Sequence, residues 1–325
     1  MYLKIGDKGR QVKEVQTLLN SHGFWSYHKF TLYFGTVTDT AVRKFQEAKG
    51  IKVDGEVGPT TYGYLLDGID TDRGGLDTDE VLNDTDNKLD YRGSYTSKDG
   101  LTIDRAYLDS DEFVMDYGKI EPKNLFIHHT AGWDNPYNTI SHWNRDTRGR
   151  VATQYVIGGL NTKGNTKHDG VVVQCFPDNY IGWHLGKVGG FNASKYSVGI
   201  ELNNFGYLTK KNGKFYTYVN TEVPEDQVYD LGYEFKNRQY WHKYSDAQIE
   251  SLRLLILHIK DIYPTIDITK GLIEELAKKT PSEAFAFNLD AYNAKKFGMW
   301  THTNVRKGKT DCFPQPELIS MLKSL

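Results

Sequence analysis

The sequence predicts an α/β chain in which a small three-helix unit precedes a larger domain built on a central mixed β-sheet flanked by helices. Three observations lead there. Apolar residues in the first 66 positions recur at helical spacing. Beyond Asn124, short runs rich in β-branched and aromatic residues alternate with helical text. The 325 residues suffice for one large domain with its own core and a small second one. Charged residues make up 25% of the chain and the formal net charge is −2. No broad basic field therefore exists to hold nucleic acid or an anionic membrane.

The helical unit comes first. In VKEVQTLLN (12–20), Val12, Val15, Leu18 and Leu19 fall on one helical face, and TDTAVRKFQEAKG (38–50) repeats the pattern with Ala41, Val42 and Phe45. Gly23 and Gly50 stand where each helix should stop, and Thr38 is placed to cap the second. Asp54-Gly55 marks a turn, after which a third short helix begins near Pro59, where proline is tolerated in the first turn. From Asp67 to about Asp90 the chain is polar and acidic with little to bury, so an acidic linker is expected over 68–115. Its D-x-D spacings lack the fixed glycine and terminal glutamate of an EF-hand loop.

The larger domain is expected over 116–325. LFIHH (125–129), ATQYVIGG (152–159), GVVVQCF (170–176) and YSVGIEL (196–202) read as strands bounded by glycine or polar turns. SDAQIESLRLLILHIKDIYP (245–264) reads as a helix: Ser245 and Gln248 form a capping box, Ile249, Leu252, Ile256 and Ile259 line one face, and Pro264 lies just past the end. Interleaved strands and helices argue for a central sheet covered by helices. The opening MYLKIGDKGRQVKEVQ has no apolar signal core, and the apolar run near 252–259 is interrupted by Arg253 and His258. A soluble chain without its own export signal and without membrane insertion is expected. Cys175 and Cys312 are the only cysteines, too few for a disulfide framework and suited to a reducing compartment.

The order G-D-x-G-x-x-V, then F-G-x-x-T-x-x-A-V-x-x-F-Q-x-x-x-G-I-x-x-D-G-x-V-G-x-x-T, resembles the peptidoglycan-binding domain found on many cell-wall hydrolases. The resemblance covers residues 1–66 and sets the domain at 1–67; Tyr62 stands where the family often has tryptophan. It implies bacterial peptidoglycan as the partner.

A second pattern concerns metal chemistry. A catalytic zinc site needs three protein ligands and an open position for water. HTNVRKGKTDC (302–312) offers a histidine and, nine positions on, an aspartate, so a further ligand must come from elsewhere; FIHHTAG (126–132) is the best supplier. Successive strand side chains face opposite sides, so of His128 and His129 one is a candidate ligand and the other packs behind it.

IHHTAG, with Y-V-I-G, D-G-x-V-x-Q, W-H-L-G, S-V-G-I-E-L and H-T-N-V-R-x-x-K-x-D-x-x-P-x-P, resembles the zinc-dependent N-acetylmuramoyl-L-alanine amidases of the T7-lysozyme-like fold. The match runs from Asn124 to Leu325, with few family signatures between Asn204 and Phe297. It implies Zn2+ bound by His128, His302 and Asp311, with Cys312 as the alternative third ligand, since family members use either residue type. It implies Glu201 as general base, Lys309 as the oxyanion partner and His184 at the cleft, on the substrate side or behind the ligands. His142, His242 and His258 are read as ordinary surface or core residues. Where T7-type members use a tyrosine, the register here puts Thr153, not Tyr155.

The two resemblances together imply a hydrolase cleaving the amide bond between N-acetylmuramic acid and the L-alanine of the stem peptide, as a phage or prophage endolysin. Such a protein would be held in the host cytoplasm, or carried in a virion, until it reaches the wall. The rival readings are a peptidoglycan-recognition protein that binds without hydrolysis and a recycling amidase acting on soluble muropeptides.

Overall fold

The structure, a computed structural model, describes residues 2–8, 10–25, 33–66, 89–109, 113–115, 121–146, 151–178, 180–186, 188 and 193–325. It divides into two compact units, Met1–Glu80 with Tyr216–Glu222, and Val81–Phe215 with Val223–Leu325. Among the described residues no helix is long and apolar enough to cross a membrane.

The first unit is built on α1 (Arg10–Ser21), α2 (Thr36–Ala48) and α3 (Pro59–Leu66). The apolar faces expected from the spacing do meet: Val12, Val15, Leu18 and Leu19 pack with Phe34, Ala41, Val42, Phe45, Val57 and Leu65. Gly23 (φ 76°) and Gly50 (φ 64°) turn the chain after α1 and α2 through the left-handed region. Thr38 does not cap α2. The cap is Gly35, and Thr38 is buried one turn inside, where its hydroxyl accepts a 2.9 Å hydrogen bond from the Gln16 amide.

One fully buried polar side chain holds the turn before α3. The Gln46 amide donates to Asp54 Oδ1 at 2.8 Å, to the Glu56 carbonyl at 2.9 Å and to Thr61 Oγ1 at 3.0 Å, while its Oε1 accepts from the backbone N–H groups of Asp54 and Gly55. A buried amide is stabilising only when its donors and acceptor are all met, as here.

The second unit centres on a seven-stranded mixed sheet. Its strands are β1 (Asp90–Thr96), β2 (Thr102–Tyr107), β4 (Asn124–His129), β5 (Tyr155–Ile157), β6 (Val172–Gln174), β8 (Ser197–Leu202) and β14 (Gly298–Thr301). They lie in the order β1-β2-β6-β5-β8-β4-β14. The neighbours β5, β8, β4 and β14 are mutually parallel, and β6 turns antiparallel against β5. Smaller pieces complete the unit: β3 (Val114–Met115) with β7 (Tyr180–Ile181), β9 (Thr209–Lys211) with β10 (Lys214–Tyr216) and β11 (Glu222–Val223), and the hairpin β12 (Val228–Phe235) and β13 (Arg238–His242).

Strand alternation sorts the sheet into two faces. Tyr155, Ile157, Val172, Val198, Ile200 and Leu202 join one core with Leu252, Leu255, Ile256 and Ile259 of α5 (Asp246–Ile262). Val156 and Val173 join the other, with Tyr137, Ile140 and Trp143 of α4 (Pro136–Asn144). Each fully buried aliphatic side chain contributes about 1.5–3 kcal/mol relative to exposure. Ser245 caps α5 as expected, accepting from the Gln248 N–H at 2.9 Å. Gln248 does not close a capping box, however. Its side-chain amide reaches the carbonyls of Gly158 and Asn203 at 3.0 Å, pinning the helix to the strand ends.

The acidic linker expected over 68–115 is corrected in part. Residues 67–88 lie outside the described residues, but β1 and β2 occupy 90–107 and belong to the central sheet. Their text is polar because β1 is an edge strand with mostly exposed side chains, and edge strands gain from charge. The larger domain therefore starts before residue 116.

Replacing Gln46 by alanine should destabilise the first unit by about 1–3 kcal/mol, because the Asp54 and Gly55 amides lose their acceptor. Hydrogen exchange on the full chain should show both amides losing protection; unchanged protection would contradict the clamp.

Candidate metal centre

The parallel register assembles the site. On β4 and β8, His128 is paired with Glu201, and Thr301 at the end of β14 is paired with Ile127, so His302 follows at the level of His128. Three neighbouring strands thus end side by side, each delivering one polar residue to the carboxyl edge of the sheet, where ligands of open α/β sheets bind. His128, Glu201 and Val156 share the face that α4 covers; His129 takes the opposite face, and its Nδ1 lies 2.9 Å from the Tyr244 hydroxyl. The two adjacent histidines of β4 thus face opposite ways, as strand parity requires.

The 302–311 segment closes on itself. Asn304 accepts from the Thr301 N–H at 3.0 Å and donates to the carbonyls of Ala284 and Ala286 at 2.8 Å, while the Thr303 N–H donates to the Asp311 carbonyl at 2.9 Å. These bonds return Asp311 to the start of the loop, beside His302.

His128 Nδ1 lies 2.9 Å from His302 Nδ1 and 3.4 Å from Asp311 Oδ2, and His302 Nδ1 lies 2.9 Å from the same oxygen. All three residues are buried, at 2%, 4% and 6% exposure, so water does not screen the crowding. Two imidazole nitrogens and a carboxylate oxygen aimed at one point call for a shared cation. Ligand atoms of a tetrahedral zinc, each ~2.0–2.1 Å from the metal, lie roughly 3.3 Å apart, close to the sides of this triangle. The donor set therefore fits a divalent ion; among the described residues it is the group of three or more histidine, cysteine or acidic side chains that could hold one.

Electrostatics follow burial. Desolvation, with the neighbouring His302, lowers the His128 pKa to about 4, and desolvation keeps His129 near 4 as well. Both rings stay neutral at pH 7, which leaves His128 a lone pair to offer a metal. Burial alone would raise the Asp311 pKa, but the His128 and His302 rings set against the carboxylate outweigh it and hold the carboxyl well below its usual range. Glu201 moves the other way, well above the usual glutamate value, through desolvation and then repulsion from Asp311, with Lys309 opposing. Perturbed carboxyls of opposite sense at one site mark a place for proton transfer.

Lys309 is half-buried, and its charge is felt by Glu201 and by both His128 and His129. It also lines a groove of about 580 Å³ with Phe287, Leu289, Tyr292, Val305, Arg306 and Lys307. Cys312 does not join the triangle. It is fully buried beside Tyr244, and burial pushes its thiol pKa well up. Thr153 spends its hydroxyl on the Tyr155 carbonyl at 3.0 Å, and the Tyr155 side chain lies in the α5-side core.

Of the two places expected for His184, the structure puts it behind the ligands. Its Nδ1 lies 2.9 Å from His128 Nε2 and its Nε2 lies 3.0 Å from Ser197 Oγ, and the ring is 8% exposed. Both nitrogens are engaged inside the protein, so the ring stands behind a candidate ligand. Ser197 and Gly199, which accommodate it, went unnoticed in the sequence, although S-x-G-x-E in YSVGIEL places Ser197, Gly199 and Glu201 on one face of β8.

Comparison with known proteins agrees with this architecture. A family model described as N-acetylmuramoyl-L-alanine amidase matches residues 118–312, and one described as a peptidoglycan binding domain matches residues 8–65. Among solved structures, the chain is similar to the SleB N-terminal domain at 36% identity, covering 21% of this chain and 90% of that one with a TM-score of 0.20. It is similar to a selenomethionine derivative of AmpD at 17% identity, covering 67% and 92% with a TM-score of 0.36. It is also similar to the amidase LysC from Clostridium intestinale URNW at 15% identity, covering 68% and 95% with a TM-score of 0.33. No curated protein matched. The amidase model spans more than half of the chain and takes in His128, Glu201, His302 and Asp311; the chain belongs to the N-acetylmuramoyl-L-alanine amidase family.

Proposed function

We propose that this protein is a zinc-dependent peptidoglycan amidase of the endolysin type, cleaving the bond between the lactyl group of N-acetylmuramic acid and the L-alanine of the stem peptide. The observation that carries the reading is the buried triangle of His128, His302 and Asp311 with Glu201 paired beside His128. The triangle would supply three protein ligands, the number a catalytic zinc site uses. A recognition protein that binds without hydrolysis has no need of a complete ligand set beside a pKa-shifted carboxyl.

Zinc bound there would supply Lewis acidity toward the scissile carbonyl and toward a water molecule. Glu201 takes a proton from the attacking water and returns it to the departing alanine nitrogen; a carboxyl whose pKa is raised above the usual glutamate value suits both transfers. Lys309 offers fixed positive charge to the oxygen on which negative charge develops. Asp311 stays ionised and His128 neutral over the working pH range, so the ligand set does not compete with protons. The groove lined by Arg306, Lys307 and Lys309 offers a polymeric substrate a basic surface beside the oxyanion partner. The wall-binding module at residues 8–65 would keep the enzyme on an insoluble polymer and raise the local concentration of cleavable bonds.

Metal analysis should find one zinc per chain in the wild type, loss of the bound zinc in Asp311→Ala, and retention in Cys312→Ser. The reverse pattern would move the third ligand to the thiol. Purified protein incubated with intact sacculi should release new alanine amino termini without new reducing sugar ends; reducing ends would make it a glycosidase. Glu201→Gln should keep its zinc and lose about 10²–10⁴-fold in rate, and a rate within a few-fold of wild type would remove Glu201 from the chemistry. Deleting residues 1–66 should slow lysis of intact sacculi more than cleavage of soluble muropeptides, and equal losses on both would favour a recycling amidase.

A further inference from the structure

We propose that His184 is a positioning residue which, seated over Gly199 and tied to Ser197, fixes the ring of His128 with Nδ1 turned into the metal group. The proposal rests on the zinc reading above and assigns a role outside the ligand set.

The chain of hydrogen bonds takes its direction from its far end. A backbone carbonyl only accepts, so the Ser197 hydroxyl donates to the Ala193 carbonyl at 2.8 Å. With its proton committed, Ser197 Oγ accepts from His184 Nε2–H at 3.0 Å. A neutral His184 then has a lone pair on Nδ1, which accepts from His128 Nε2–H at 2.9 Å. This leaves His128 with its lone pair on Nδ1, the atom 2.9 Å from His302 Nδ1 and 3.4 Å from Asp311 Oδ2. A chain anchored on one carbonyl thus selects the tautomer that a metal ligand requires. Outer partners of this kind orient ligating histidines and are worth about 10–100-fold in metal affinity.

A second observation shows that the seat is built. A Cβ on Gly199 would lie 2.9 Å from His184 Nδ1 and 3.0 Å from its Cγ, and 2.9 Å from Thr153 Cγ2, all closer than side-chain carbons approach. Glycine in the middle of a buried strand weakens it unless something must come close; here the imidazole fills the space. Ser197, Gly199 and Glu201 lie on one face of β8, so the same strand holds the tether, the seat and the proton acceptor. His302 lacks a tether of this kind among the described residues: its Nε2 is buried without a hydrogen-bond partner there.

The test compares His184→Phe, which keeps an aromatic ring but offers no acceptor, with His184→Asn, whose Oδ1 can stand near the Nδ1 position. Zinc affinity is measured by competition with a chromophoric chelator, and coordination by the visible spectrum of the cobalt-substituted chain. His184→Phe should bind zinc about 10–100-fold more weakly with an altered cobalt spectrum, and His184→Asn should recover most of the affinity. Both variants binding zinc like the wild type would overturn the proposal. A metal-free readout guards against loss of folding: the ring 15N shifts of His128 in the apo chain should report a single Nε2–H tautomer in the wild type and a mixture in His184→Phe. A wild-type His128 carrying its proton on Nδ1 would overturn the proposal whatever the metal does. A wild-type chain that takes up no zinc yet shows the Nε2–H tautomer would support the His184 tether and overturn the zinc reading instead.

Discussion

The site depends on the parallel register of three adjacent strands. β8, β4 and β14 end at one level, and that alignment alone places Glu201, His128 and His302 together although 174 positions separate the two histidines. A slip of one residue in any of them would turn its functional side chain to the opposite face of the sheet. The register is defended by packing, since Phe126 and Ile127, Val198 and Ile200, and Met299 and Trp300, which precede the functional positions, are all buried in the larger core. The packing that stabilises the fold is thus the same packing that sets the chemistry.

Burial shapes the site in opposite ways for different groups. It disfavours charge on the histidines, keeping their lone pairs available, and it pushes Glu201 toward the protonated form. Asp311 stays charged because two imidazoles lie against its carboxylate. A buried anion with two neutral ring nitrogens directed at the same point is a costly arrangement without a cation. A divalent ion held there would offset that cost.

Much of this was legible in the sequence, for identifiable reasons. The helical unit announced itself by apolar spacing, and the opposed roles of His128 and His129 followed from strand parity alone. The long helix α5 was marked by Ser245 and by its apolar face. The β1-β2 hairpin was not legible because its outer strand is polar and exposed, which in a sequence looks like linker. The roles of Gln46 and Gln248 were hidden as well: each satisfies backbone groups distant in the chain, and glutamine carries no periodic signal. His184 stood in a recognisable W-H-L-G motif, but its partner lies 56 positions away on another element. Only the packing shows that both its nitrogens are taken.

The central claim, that two imidazoles and a carboxylate grip one zinc ion, is tested most directly by X-ray absorption at the zinc edge of the purified full chain. The account predicts a first shell of nitrogen and oxygen at about 2.0–2.1 Å with two imidazole signatures and no sulfur. A sulfur scatterer at about 2.3 Å, or a shell with fewer than two imidazoles, would contradict it.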